Sequence, residues 1–287
     1  MFKKLLGRFY NGNPNKADFT EKDLPKNRIM LFFHVLGTRL FKLVQLNMIY
    51  FIAIIPTLIW TVWTFMAVME AAAPAEGVVP PDIGLVLRDY FLILIPCMAL
   101  AGPGTAGATY VLRRWAQDEH AFVWGDFWAA LKANFTQSMV LNLLNGLAFF
   151  VLYFCYWYYG TMAIDNIYMR LPQYFIMFLA IFVVMMNQYM MPLLVTYDLS
   201  IRKIITNAAR LTILRLPQSV GILLCTLIPF CTIFLGTLFL SLFYSFFGFM
   251  LTGLLWVSGA VAAFDKFINP NIEGVEINRG LHPDYKG

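Results

Sequence analysis

The sequence predicts an all-α, polytopic membrane bundle of about six transmembrane helices with both termini on the cytoplasmic side. Three observations carry that expectation. Hydrophobic residues make up 60% of the 287 and charged residues only 13%. Soluble domains run at about 45–50% and about 25%, so lipid is the expected solvent of most of this surface. Six segments, near 43–69, 90–112, 138–159, 171–197, 218–241 and 246–264, contain no Asp, Glu, Lys or Arg. Each suits a hydrocarbon core of about 30 Å, which takes about 20 helical residues to cross. Finally, 19 of the 21 Lys and Arg residues fall in 1–42, 113–137, 198–217 and the tail from 265, leaving only Arg88 and Arg170 on the other side. Basic loops stay in the cytoplasm, which places both ends there.

The elements follow in order. Residues 1–27 read as a cytoplasmic N-terminal segment, rich in Asn, Pro, Lys and Asp from 11 onward. Met1 to Lys42 is polar and basic, so no cleavable secretory signal is expected, and Phe2 stands where N-myristoylation needs glycine. The membrane domain is expected over 28–265. It opens with an amphipathic stretch near 28–42, in which Ile29, Leu31, Phe32, Phe33, Val35, Leu36, Leu40 and Phe41 alternate with His34, Arg39 and Lys42; such a helix lies at the membrane interface. A second interfacial helix is expected near 124–135, with Phe127, Trp128, Leu131 and Phe135 on one side. The residues 198–217 read as a basic loop. The fifth and sixth spans are so close that a tight turn is expected near Gly248: one helix over 218–264 would be about 70 Å long at about 1.5 Å per residue. Residues 266–287 form a cytoplasmic tail.

A faint repetition runs through the chain. Pro103 precedes Thr109-Tyr110 and a basic loop, and Pro192 precedes Thr196-Tyr197 and another. Gln137-Ser138 and Gln218-Ser219 each open a span, and Gln45-Leu46-Asn47 and Leu141-Asn142 are similar. The pattern suggests a threefold hairpin repeat in parallel orientation.

Few residues invite a chemical role. Cys97, Cys155, Cys225 and Cys231 all lie in apolar runs and read as small buried hydrophobes. His34, His120 and His282 are scattered without metal-binding spacing, and GxSxG and P-loop signatures are missing, so no enzyme, catalytic residue, metal or cofactor is expected. No basic stripe with interleaved aromatics suggests nucleic acid. Polar residues inside the spans include Gln45, Asn47, Asn142, Asn145, Asn187 and Gln188. None is ionisable, which argues against an ion-coupled transporter. Gly102, Pro103, Gly104, Thr105 and Gly107 admit two readings, a functional helix break or close helix packing. Tyr153, Tyr156, Trp157, Tyr158 and Tyr159 read as an interfacial aromatic belt. Asp82, Arg88 and Asp89 read as a salt-bridged cap. Candidate cytoplasmic docking residues are Arg113, Arg114, Asp126, Phe127, Trp128, Lys132, Arg202 and Lys203.

The stretch from Gly102-Pro103-Gly104-Thr105-Ala106 through Thr109-Tyr110-Val111-Leu112-Arg113-Arg114, then Gly125-Asp126-Phe127-Trp128 and Lys132-Ala133-Asn134-Phe135-Thr136-Gln137-Ser138, resembles the YesL-like family of bacterial membrane proteins. Leu46 to Tyr50 also fits its first-span pattern. The likeness covers roughly 30–265, with sharp motifs over about 40 residues. Where family members carry a glycine in an "LP-x-x-T-x-G" turn, Ile55 to Thr61 lacks it. The family has no established activity and occurs beside carbohydrate ABC importer genes in Gram-positive bacteria. The resemblance therefore implies a multi-pass protein of the bacterial cytoplasmic membrane, an accessory subunit whose partners are importer permeases with a separate ATPase and sugar-binding protein. A small-solute channel and a membrane sensor or scaffold are the alternatives.

Overall fold

The computed structural model describes residues 24–73, 79–234, 244–282 and 284. Regular structure among them is entirely helical. The α-helices are α1 (Arg28–Ala72), α2 (Ile83–Ala116), α3 (Val123–Ala133), α4 (Phe135–Met162), α5 (Arg170–Thr196), α6 (Ile201–Leu214), α7 (Leu216–Phe234) and α8 (Phe249–Phe267). Five of them, α1, α2, α4, α5 and α8, are long and apolar enough to cross a membrane. The α6–α7 pair, bent by 94°, brings the number to six where it counts as one span.

The interfacial stretch near 28–42 and the first span are arms of one helix, bent at Arg39, where the backbone leaves the helical region (φ −119°, ψ 18°). The helix expected near 124–135 is α3. Two expectations are corrected. Residues 198–217 are not a loop but carry α6: Ile204, Ala208 and Leu211 recur at helical spacing and bury themselves, while Arg202, Lys203 and Arg210 stay exposed. An amphipathic period, rather than polarity, decides such a segment. Gly248 is no turn either. It has helical torsions (φ −63°, ψ −38°) and continues a π-helical stretch, Tyr244–Gly248, into α8. The segment between the last two spans, 235–243, lies outside the described residues, as does the N-terminal segment through 23.

The repetition is real at the level of elements, and its unit is three helices rather than two. An amphipathic arm leads into a span, which is followed by a second span: 28–38, then 40–72 and α2; α3, then α4 and α5; α6, then α7 and α8. One residue outside ideal helical torsions separates arm from span each time. These joints are Arg39 (−119°, 18°), Asn134 (−109°, 14°) and Arg215 (−120°, 32°). All three lie close to the sparsely populated bridge region of backbone space. Local causes differ. The Asn134 side chain donates to its own helix at the Ala130 carbonyl, 2.9 Å. At the third joint Pro217, in the first turn of α7, has no N–H to continue the α6 ladder.

The three units close into a ring. The second spans, α2, α5 and α8, touch one another in every pairing. Each first span sits between two of them: α1 between α8 and α2, α4 between α2 and α5, α7 between α5 and α8. A polar residue near the start of each first span ties it to the preceding unit. Asn47 donates to the Ser245 carbonyl (2.7 Å) and accepts from the Met250 N–H (3.1 Å). Asn142 donates to the Met98 carbonyl (3.2 Å). Ser219 receives Gln188 at its carbonyl (3.1 Å) and shares a hydrogen bond with the Tyr189 hydroxyl (2.7 Å). Apolar burial does not drive helices together in lipid, so such bonds carry weight. Asn47→Leu should lower unfolding stability by about 0.6–1.7 kcal/mol, read from thermal unfolding in mild detergent. No loss at all would mean that Asn47 does not tie α1 to α8.

Candidate functional site

The glycine-rich stretch of α2 lies inside a continuous helix, so the helix-break reading is corrected. Its glycines are close approaches to three different neighbours. A Cβ on Gly102 would lie 2.5 Å from the Ser138 carbonyl oxygen of α4, and one on Gly107 would lie 2.7 Å from the Phe127 carbonyl oxygen of α3; one on Gly104 would overlap Ala53 of α1. Pro103 is buried among them. Thr105 bonds its own helix at the Ala101 carbonyl (2.9 Å), with the Tyr50 hydroxyl at 3.4 Å. Small residues let backbones approach, and here they make α2 the hub of the bundle.

Charge concentrates at the end of the bundle where both described termini meet. Arg28, the first residue of α1, pairs with Asp265 at the end of α8 and also donates to the carbonyls of Ala116 (3.0 Å) and Arg279 (3.1 Å). Side-chain exposure is 11% for Arg28 and 4% for Asp265, so this pair is inside the protein. Asn269 donates to Asp265 (2.7 Å), and the Tyr197 hydroxyl donates to Asn269 (2.6 Å). Burial, and then the Asp265 charge, push the Tyr197 phenol well above its ordinary value, so it remains a donor. The tail folds back rather than trailing free. Leu281 is buried in the core formed with Trp115 and Leu112, and the His282 N–H donates to the Pro25 carbonyl (3.0 Å).

A second group of charges fixes the α2–α3 turn. Arg39 binds the Asp118 carboxylate (2.9 Å) and the Glu119 carbonyl. Asp118 has a positive φ of 57°, a conformation that aspartate tolerates better than most residues. Arg114 pairs with Glu119 (3.2 Å) and Asp126 (3.4 Å), and Arg279 pairs with Glu119 and Glu276. Arg114, Asp118, Glu119 and Arg279, with Leu24, Gln117, His120 and Gly280, line an open cleft of about 600 Å³.

The docking candidates divide accordingly. Arg114 and Asp126 are partners of each other, and Asp126 also accepts from the Phe122 N–H (2.9 Å). Arg113 lies over the Tyr110 ring at 5.1 Å and reaches the Val195 carbonyl at 3.5 Å. Phe127 is buried in the core, 1% exposed, and is no docking residue. Trp128, Lys132, Arg202 and Lys203 stay on the surface. Sequence reasoning missed Arg28, Arg39, Asp265, Asn269 and Arg279. The available signal was Asp265 itself, an acid directly adjoining a charge-free apolar run.

At the opposite end Asp82 caps α2 through the Gly84 N–H (2.7 Å) and Arg88 pairs with Asp89 (2.7 Å). Tyr153 donates to the Gly84 carbonyl (2.8 Å) and stacks on Phe91 at 4.8 Å, while Tyr156 and Tyr158 are exposed. Cys225 is exposed on α7, contrary to the expectation that every cysteine is buried; lipid is an adequate solvent for a thiol.

Fold and surface together define a multi-pass helical membrane protein. Residues 27–156 match the model of a family described as "Protein of unknown function, DUF624", the family to which YesL belongs. The match spans Arg28, Arg39, the glycines of α2 and the Arg114–Asp126 pair. No curated protein and no solved structure matches the chain.

Proposed function

We propose that the protein is a non-catalytic accessory subunit of a bacterial membrane transporter, docking its partner at the charged end. One observation carries this reading: the seam between the three second spans is filled. Ala106 of α2, Met190 and Leu193 of α5, and Ala260 and Phe264 of α8 form one apolar cluster, none more than 3% exposed. A channel or carrier needs polar groups lining such a seam; close packing favours a scaffold. The charged end offers the opposite, a cleft of ionic groups at the meeting of α2, the turn that follows it and the tail. In this reading that end faces the cytoplasm, supported by the 19 of 21 basic residues assigned to it. The YesL-like resemblance supplies the partner class, the permease of a carbohydrate ABC importer whose separate ATPase hydrolyses ATP.

The test is purification of the tagged full-length protein in mild detergent from native membranes of cells grown on glycans. An importer permease and its ATPase should co-purify, and Arg279→Glu, at the rim of the cleft, should reduce their recovery. Absence of both overturns the proposal. Flux of sugars or ions through vesicles holding the protein alone would replace it with the channel reading.

A further inference from the structure

The three amphipathic arms hold equivalent places, and their outward faces differ. Each packs beside the closing turns of a second span. Leu31 and Val35 join Val257 and Val261 of α8; α3 meets α2 as deep as Gly107, nine residues before that helix ends; Ile204, Ala208 and Leu211 of α6 join Met190 to Leu194 of α5. The arms therefore form a collar around the bundle rather than a lid over its end, each beside the last three turns or so of the second span it flanks. On two of them the outward side is apolar: Ile29, Met30 and Phe33 are 71%, 50% and 63% exposed, and Trp124 and Trp128 of α3 are 60% and 38% exposed. Amphipathic arms with outward indoles and aliphatic groups seat at the boundary between headgroups and acyl chains. That fixes the depth of the collar.

At the same depth α6 presents Arg202, Lys203 and Arg210. All three are exposed, and none is ion-paired among the described residues. Lys203, Thr206 and Arg210 share one helix face, with Arg202 beside them. The Gln137 side chain, donating to the Leu199 carbonyl, joins the start of α6 to the α3–α4 joint, five residues along the chain from Lys132. Sideways-facing cations at headgroup depth lie where lipid phosphates lie. Guanidinium and ammonium groups both bind phosphate, arginine through two parallel bonds. We propose that the outward face of α6 is a binding site for the headgroups of anionic phospholipids in the leaflet at the charged end. It is separate from the cleft between α2 and the tail, so it stands or falls independently of the transporter reading.

The experiment uses the full-length protein in phosphatidylcholine vesicles, with spin-labelled phosphatidylglycerol or spin-labelled phosphatidylcholine as probe. The motionally restricted fraction gives the relative association of the two lipids. The wild type should prefer phosphatidylglycerol by about twofold or more at low salt, since each basic group near a surface adds attraction to anionic lipid, and the preference should shrink as salt rises. Arg202→Gln/Lys203→Gln/Arg210→Gln should remove at least half of it. Arg202→Lys/Arg210→Lys, which keeps the charge, should retain most of it, and Arg88→Gln at the opposite end should leave it unchanged. An unaltered preference in the triple variant overturns the proposal. If that variant instead loses co-purifying protein, the face docks a protein and not lipid. Should the triple variant fail to fold, Lys203→Gln against Lys203→Arg reads the same preference, and equal values for the two overturn it.

Discussion

Gly102→Ala should destabilise the bundle by about 1–3 kcal/mol, the usual cost of forcing an extra methyl into a packed interface. The methyl would meet the Ser138 carbonyl at 2.5 Å, its carbon at 2.8 Å and the Met139 Cα at 3.0 Å. These are backbone atoms near the Asn134 joint, which no rotamer change can move aside. Gly107→Ala should behave alike against the Phe127 carbonyl. Gly37→Ala is the control, because a Cβ there meets nothing within 4 Å. It lies exposed in a helix, so alanine should be neutral or stabilising by up to about 1 kcal/mol. Thermal unfolding of the four proteins in one detergent measures the contrast. A functional hinge at Gly102 would give the reverse pattern, with stability preserved and partner recovery lost. Equal stability of Gly102→Ala and Gly37→Ala would sink the packing assignment.

Asp265→Ala should cost about 3–5 kcal/mol, because removing one member of a buried ion pair leaves the other charge uncompensated. An exposed pair would cost no more than about 1 kcal/mol, and the low side-chain exposure of Arg28 and Asp265 decides between the two. The loss spreads further: Asn269 loses its acceptor, and Asn269 is what Tyr197 binds. The double variant Arg28→Met/Asp265→Leu should recover most of the stability, since well-packed apolar groups often replace a buried pair without loss. A double-mutant cycle on thermal unfolding measures the coupling. If the single and double variants lose equally, the pair does not close the ring.

The spans and their charged end were legible because both depend on local composition. A run of residues without charge cannot be solvated by water as a surface, and a basic stretch cannot easily cross lipid. The period of 3.6 residues in 124–135 gave α3 for the same reason. The same period lies in Ile201, Ile204, Ala208 and Leu211, yet α6 was read as a loop, since Arg202, Lys203 and Arg210 weighed more than the spacing. The site was less legible. Asp265 sits just past a predicted span, and nothing near it in sequence says whether it faces water or protein. Its partner Arg28 is 237 residues away.

The glycines of α2 show the same division. Their small size was plain from the sequence, but close packing and a helix break demand the same residue types. Only the neighbours at Ser138, Ala53 and Phe127 decide it, and they arrive from three other helices. The unit of the repeat was settled similarly. Matching prolines and glutamines suggested hairpins, whereas three joints with nearly the same torsions and three cyclic polar ties define a three-helix unit. Sequence by itself determined the medium of this protein, the course of its spans and the end where its charge gathers, because solvation acts residue by residue. The closing of the ring, the burial of Arg28 with Asp265 and the free basic face of α6 belong to tertiary structure, because each depends on which distant surfaces meet.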